Sequence, residues 1–424
     1  MRAVPALPAM RRLATLALCL VLAACGGGGG GGGSNSQQQV HVSLPASPAS
    51  PSDSNVAAVQ VRNGPTSNVN IPYVTVTICR SGAASPGTGC VTIPDVMVDT
   101  GSTGLRVFGS FASGLGLPAQ TIGSSSAVFE CANFLNSNAW GSVKRADVLI
   151  GGERASNVPV QLLNAAADAS SNAKCSGAPL LTSSTLSANG ILGVGVFSYD
   201  GQNYFDCTNP GTGCRAIVNP APSLQVQNPV ALLPASAANG VANNNGVVLQ
   251  LPAVAAGGAT SASGYLIMGV NTQSNNQLGA AHIVPTDPIG RFTTVFNGHT
   301  LGTSFIDSGS NGLYFDFPTP AALAGTCTTT STAFYCPAST TNLSATIAPG
   351  SSNITVNFSI ANADRLFQNN NNFVFNNLGG VLDSTTFDWG LPFFLGRSVY
   401  TVMEGSVPNV ATGALSRPFY AFTD

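Results

Sequence analysis

Val98-Asp99-Thr100-Gly101-Ser102-Thr103-Gly104-Leu105 is echoed 208 residues later by Ile306-Asp307-Ser308-Gly309-Ser310-Asn311-Gly312-Leu313. Each copy places one Asp at the end of an apolar run, before a hydroxyl residue, a Gly and a Ser. A single Asp-[Ser/Thr]-Gly is an ordinary turn signal, because the Asp side chain bonds readily to backbone N–H groups just beyond it. Two copies with the same apolar lead-in and the same Ser-x-Gly-Leu tail mark an internal repeat. Loop-borne carboxylates brought face to face can share one proton and activate water.

A second half-similarity supports the repeat. Asn189-Gly190-Ile191-Leu192-Gly193 ends 94 residues beyond Asp99, and Phe387-Asp388-Trp389-Gly390 ends 83 beyond Asp307. Repetition of a β unit argues for two related lobes with a cleft between them. On this reading residues 66–250 form an N-terminal β lobe with Asp99, and residues 251–424 a C-terminal β lobe with Asp307. Alternation in Val74-Thr75-Val76-Thr77-Ile78 predicts a strand, as do Val91 to Ile93 and Val96 to Val98. Further strands are expected at 145–150, 158–163, 246–251, 264–268, 292–296, 303–306, 353–360 and 399–403. Short helices are expected at 225–233 and 320–324, a loop at 369–372, and no long amphipathic helix anywhere. The fold class is therefore mainly β.

Composition narrows the function. The chain has 424 residues, enough for two cores, and only 8% are charged. Arg2, Arg11 and Arg12 precede an apolar stretch from Leu13 to Leu22 and then Ala23-Ala24-Cys25. That order is the pattern of an export signal, with an apolar core too short to span a membrane comfortably. Without residues 1–24 the chain keeps 12 basic against 17 acidic residues, a net charge near −5. No basic stripe is present, so nucleic-acid binding is not expected. Residues 25–65, with Gly26 to Gly33 at their start, read as a flexible tether.

Ten cysteines include Cys19 and Cys25 in the signal region, which leaves eight, an even number, in an export context. Proximity suggests Cys79–Cys90, Cys131–Cys175, Cys207–Cys214 and Cys327–Cys336, out of 105 possible pairings. A metal site is not expected: no Cys-x-x-Cys occurs, and His41, His282 and His299 are scattered. No cofactor is implied. A serine or metallo-hydrolase lacks its Gly-x-Ser-x-Gly or His-Glu-x-x-His signature.

The paired motifs resemble those of the pepsin-like aspartic proteases, and the resemblance extends over about residues 70–424. Gly190-Ile191-Leu192-Gly193-Val194 looks like the family's glycine segment, which threads beneath the first active-site loop. Gly390-Leu391-Pro392-Phe393-Phe394 resembles the second psi-loop, with Gly396 as a competing placement for its glycine. The chain also resembles a family of bacterial lipoproteins that carry such motifs. Leu22-Ala23-Ala24-Cys25 resembles a bacterial lipoprotein processing signal, which implies cleavage before Cys25, a lipid on its thiol, and membrane attachment through that lipid only; the alternative is an ordinary secretory signal. Gly26 after the Cys resembles lipoproteins sorted to the outer membrane.

What the pepsin-like resemblance implies is an endopeptidase, monomeric, acting on peptide or protein substrates in the cell envelope. Asp99 and Asp307 would be its catalytic pair. Thr100 and Ser308 would brace one loop against the other, while Ser102 and Ser310 would bond the outer carboxylate oxygens. Gly101 and Gly309 would let backbone N–H groups approach those carboxylates without a Cβ in the way. The substrate-covering hairpin is expected near Asn138 to Val143. It looks short and carries Trp140, either covering substrate or anchoring the hairpin. Arg106, after the first motif, reads either as a charge near the cleft that lowers the pair's apparent pKa values or, in the favoured reading, as a surface cation that points to solvent. The competing function is a catalytically silent binding module on the same fold, favoured by the short hairpin and by the lack of a basic pro-segment.

Overall fold

In the computed structural model the described residues are 41–43 and 49–424, apart from 85–86, 124–125, 136, 166–174, 176–177, 209–212, 236–239, 317–322, 324, 329–332, 348–352 and 406–417. Cys25 and the whole export-signal region lie outside them, as does the expected helix at 320–324 except for Leu323.

Alternation decides the first strands. In Pro72–Cys79 the side chains of Val74, Val76 and Ile78 enter the core while Thr75 is exposed. Thr77 bonds Thr92 across the sheet, hydroxyl to hydroxyl at 2.9 Å. Cys90–Asp99 pairs antiparallel with this strand, and Cys79 and Cys90 sit opposite each other in register. Thr103–Phe108 and Gly190–Val194 are instead buried at every residue, the pattern of strands covered on both faces.

The chain is mainly β. Eighteen of the described strands join in one hydrogen-bonded sheet system and seven in a second. The longest described helix is Ala363–Gln368, capped by the Asn362 side chain, whose Oδ1 accepts the Arg365 N–H at 3.0 Å. Among the described residues no helix is long and apolar enough to cross a membrane. The second sheet runs Ile354–Ile360, Thr341–Ile347, Phe292–Phe296, His299–Ile306, Asp388–Trp389, Leu313–Tyr314 and Gly379–Gly380.

Four sequence expectations need correction. The tether does not extend to residue 65: Val56–Val61 is a strand between Ser261–Met268 and Pro72–Cys79, with Val56, Val59 and Val61 buried. The apolar Val-Ala-Ala-Val-Gln-Val pattern outweighs its Ser- and Pro-rich approach. The division at 250/251 does not coincide with an end of the first sheet. Gly246–Gln250 pairs with Ser261–Met268 on one side and Ser398–Val402 on the other, so strands from beyond 251 belong to the sheet system that carries Asp99.

The helix expected at 225–233 is two separate 3-10 turns, Pro222–Leu224 and Pro229–Leu232. Pro229 has no N–H to give and disfavours a helical conformation in Asn228 before it, so no continuous helix can form. The hairpin carrying Trp140 is long, not short. Ser126–Asn133 pairs with the fourteen-residue strand Ser137–Ile150.

All four disulfides join the neighbours that proximity suggested: Cys79–Cys90, Cys131–Cys175, Cys207–Cys214 and Cys327–Cys336. Cys327, Cys336 and Asp364 come together closely, but both sulfurs are committed to the bridge and are poor metal ligands.

Candidate active site

Each Asp loop begins where a strand of one sheet system ends. Cys90–Asp99 delivers Asp99, and His299–Ile306 delivers Asp307 one residue beyond its end. A buried segment then threads beside each loop. Gly193 lies in parallel register with Asp99. In the other half Ile306 is in register with Trp389, which places Gly390 beside Asp307, and the Asp307 N–H donates to the Trp389 carbonyl at 3.1 Å.

This settles the glycine of the second half as Gly390 rather than Gly396. A Cβ on Gly390 would lie 2.0 Å from the Gly312 carbonyl oxygen, whereas one on Gly396 would meet only Ala253 at 3.4 Å. Gly193 is required in the same way, by the backbone of Thr103 at 2.7 Å.

The two loops are locked together by reciprocal bonds. The Thr100 N–H donates to Ser308 Oγ at 3.1 Å, and the Ser308 N–H donates to Thr100 Oγ1 at 2.9 Å. Each hydroxyl passes its own proton across to the opposite strand. Thr100 Oγ1 donates to the Ile306 carbonyl at 3.2 Å, and Ser308 Oγ to the Val98 carbonyl at 2.7 Å. All four bonds are buried, where an unmade partner would cost about 1–3 kcal/mol. The lock brings the carboxylates together. A Cβ on Gly101 would strike the Asp307 carboxyl at 2.5 Å, and one on Gly309 the Asp99 carboxyl at 2.8 Å.

Hydrogen bonding within each loop is nearly symmetric. Asp99 Oδ1 accepts from the N–H groups of Gly101 at 2.9 Å and Ser102 at 3.2 Å, and Asp99 Oδ2 accepts from the Ser102 hydroxyl. Asp307 Oδ1 accepts from the Gly309 N–H at 2.7 Å, and Asp307 Oδ2 from the Ser310 hydroxyl at 3.0 Å. Burial pushes the Asp307 carboxyl well above the usual carboxylate range. The charges of Asp99 and Asp388 and a hydrogen bond with Asp99 push the same way, and the Gly309 N–H pulls back. Two carboxylates so placed repel each other when both are ionised.

The structure adds a third carboxylate that the sequence reading did not single out. Asp388 is buried and faces Tyr314 in antiparallel register, with Ser310 near enough to act on its carboxyl, while its Oδ1 has no hydrogen-bond partner among the described residues. Burial, reinforced by the charge of Asp99, pushes its carboxyl well up, against the pull of the Ser310 bond. The available signal was a lone carboxylate inside the apolar run Phe387-Asp388-Trp389.

Arg106 corrects another expectation. It does not point to solvent: its guanidinium is 1% exposed and bonds Glu130 at 2.6 Å, Asp200, and the Thr103 carbonyl at 2.7 Å. An Arg in the strand Thr103–Phe108, buried at every residue, has no route to water, so it recruits carboxylates instead.

Trp140 occupies the anchoring role. Its ring is buried between Phe129 and Phe205, with centroids at 5.5 and 5.4 Å, in a cluster that includes Cys131, Cys207 and Cys214. Beside the second loop a cavity of about 800 Å³ is bounded by Asn311, Arg62, Asn68, Phe334 and Phe367.

Fold and site together define a mainly β protein with a paired-carboxylate centre built from two like loops. The chain belongs to the family described as protein of unknown function DUF3443, which matches residues 51–422. No curated protein matches it.

Proposed function

We propose that the protein is an aspartic-type endopeptidase with a bilobal, pepsin-like arrangement of two related β lobes, and that Asp99 and Asp307 are its catalytic pair. The observation that carries the reading is the reciprocal Thr100–Ser308 lock, which holds two carboxylates against each other. Such a pair keeps one proton. The ionised carboxylate takes a proton from water as the water oxygen adds to the scissile carbonyl carbon. The protonated carboxyl gives its proton to the carbonyl oxygen. As the tetrahedral adduct collapses, the carboxyl that took the water proton gives it to the departing amine nitrogen, one adduct hydroxyl returns its proton to the other carboxylate, the C–N bond breaks, and the pair is left singly protonated.

The same reading gives the protein an extracytoplasmic place. Four disulfides are the usage of an oxidising compartment. Cys25 would carry the lipid that holds it to the bacterial envelope, at the outer membrane.

The test compares the tether-free protein with its Asp99→Asn and Asp307→Asn forms on a diverse peptide pool from pH 3 to 8. Each substitution is expected to reduce cleavage by ~10³-fold or more. Cleavage that survives both, or none by the unmodified protein at any pH, overturns the reading. Peptide binding without cleavage would establish the silent binding module in its place.

A further inference from the structure

The two half-sites can be superposed by register. Beside the first loop, Ile191 pairs with Met97 and faces Arg106. Beside the second, Asp388 pairs with Phe305 and faces Tyr314. Both Ile191 and Asp388 stand two residues before the threaded glycine, so the second half carries a carboxylic acid where the first carries a hydrocarbon.

That acid is not stranded by accident of packing. It is buried, its Oδ1 has no hydrogen-bond partner among the described residues, and the Ser310 hydroxyl near it donates to Asp307 Oδ2 at 3.0 Å. The titratable groups that face it are Asp99 and Asp307 from the two loops, Tyr314 from the neighbouring strand and Tyr420 from Phe419–Phe422. None of them can supply a positive charge.

We propose that Asp388 is a positioning residue that, from its place beside Ser310, keeps the Asp99/Asp307 pair singly protonated as the surroundings turn toward neutral. This rests on the reading of the pair as a proton-sharing catalytic centre. In acid, Asp388 is neutral, and the Ser310 hydroxyl donates to Asp307 Oδ2. As pH rises and Asp388 loses its proton, its negative charge opposes the loss of the last proton from the pair. Repulsion of that kind can only extend the singly protonated form to higher pH. It leaves the acid side untouched, because there Asp388 is uncharged.

The experiment measures the pH profile of peptide cleavage for the unmodified protein, Asp388→Asn and Asp388→Ile, the last borrowing the residue of the first half. The alkaline half-point is expected to fall by about one pH unit in both variants while the acid half-point stays in place. An unmoved alkaline half-point overturns the proposal.

A second measurement separates this failure from failure of the protease reading. Thermal midpoints of Asp388→Asn against its parent are taken from pH 4 to 8, in the native and in the Asp307→Asn backgrounds. A carboxyl raised by folding stabilises fully below its unfolded value of about 4 and loses that contribution as pH rises toward its folded value. Asp388→Asn should therefore gain midpoint over its parent near neutral pH and not at pH 4. The gain should shrink when Asp307 is already Asn. An equal gain in both backgrounds means that Asp388 does not act on the pair, whether or not any peptide is cut.

Discussion

Behind the first Asp loop Arg106 faces Ile191; behind the second, at the same offset of seven residues from the Asp, Tyr314 faces Asp388. The first half is backed by charge, with Arg106 between Glu130 and Asp200 and the Tyr204 hydroxyl donating to Asp200 at 2.6 Å. The second is backed by rings. Phe387 and Trp389 stack at 4.0 Å, Phe315 stacks on Phe387 at 4.7 Å, and Trp389 Nε1 donates to Thr294 at 3.1 Å.

The difference teaches that the loop lock and the support behind it are separable. Identical bonds between Thr100 and Ser308 are served by two unlike interiors. The ionic interior needs its partners complete, since a buried charge without its counter-charge is heavily penalised. The aromatic interior needs only shape and contact area, and it takes in beside it an acid, Asp388, whose carboxyl burial pushes well above the usual range.

The sharpest way to break this comparison is Arg106→Met. It leaves Glu130 and Asp200 buried with no cation, and the expected loss is about 3–5 kcal/mol by urea denaturation at neutral pH. Tyr314→Phe, the matching change in the other half, should lose about 1 kcal/mol or less, because only its hydroxyl bond to Asn311 goes. Equal losses would mean that the two interiors work alike.

Next in size is the lock itself. Thr100→Val and Ser308→Ala each strip an acceptor from a buried N–H and are expected to cost about 1–3 kcal/mol apiece. Because the bonds are reciprocal, the double variant should lose less than the sum. Strict additivity would show that the loops are held elsewhere.

The smallest effect separates the two acids around Arg106. Burial pushes Glu130 well above the usual carboxylate range, more than Arg106 pulls it down, and the charge of Asp200 adds to the rise. Its contribution is present in full below an unfolded value of about 4 and declines as pH rises toward the folded value. Glu130→Gln should therefore gain stability over its parent as pH rises from 4 to 8. A variant less stable than its parent at pH 8 would show that Glu130 works as an anion.

Much of the fold was legible because its signals are local. Val74 to Ile78 alternate, and Phe292–Phe296 is a strand over the range its sequence suggested. The four disulfides each join cysteines that are near neighbours among the eight. The facing loops were legible because the motif itself carries the acid, the bracing hydroxyl and the glycine that admits the other carboxylate. What failed depended on surroundings. Arg106 is charged, and nothing near it in sequence announces Glu130 and Asp200, 24 and 94 residues away. Trp140 reads equally as cover or anchor until Phe129 and Phe205 close over it.

The sequence by itself determined that two Asp loops exist, that both end apolar strands, and that each is followed by a glycine-bearing apolar segment. Those properties reside in stretches of fewer than ten residues, where steric and hydrogen-bonding preferences of the chain suffice. Only the tertiary structure decided which glycine threads beside Asp307, that Val56–Val61 joins a sheet, and that Asp388 stands at the carboxylate pair. Each of these is a matter of register between segments tens to hundreds of residues apart. A shift of one residue would turn Asp388 away from Ser310 and put Trp389 in its place.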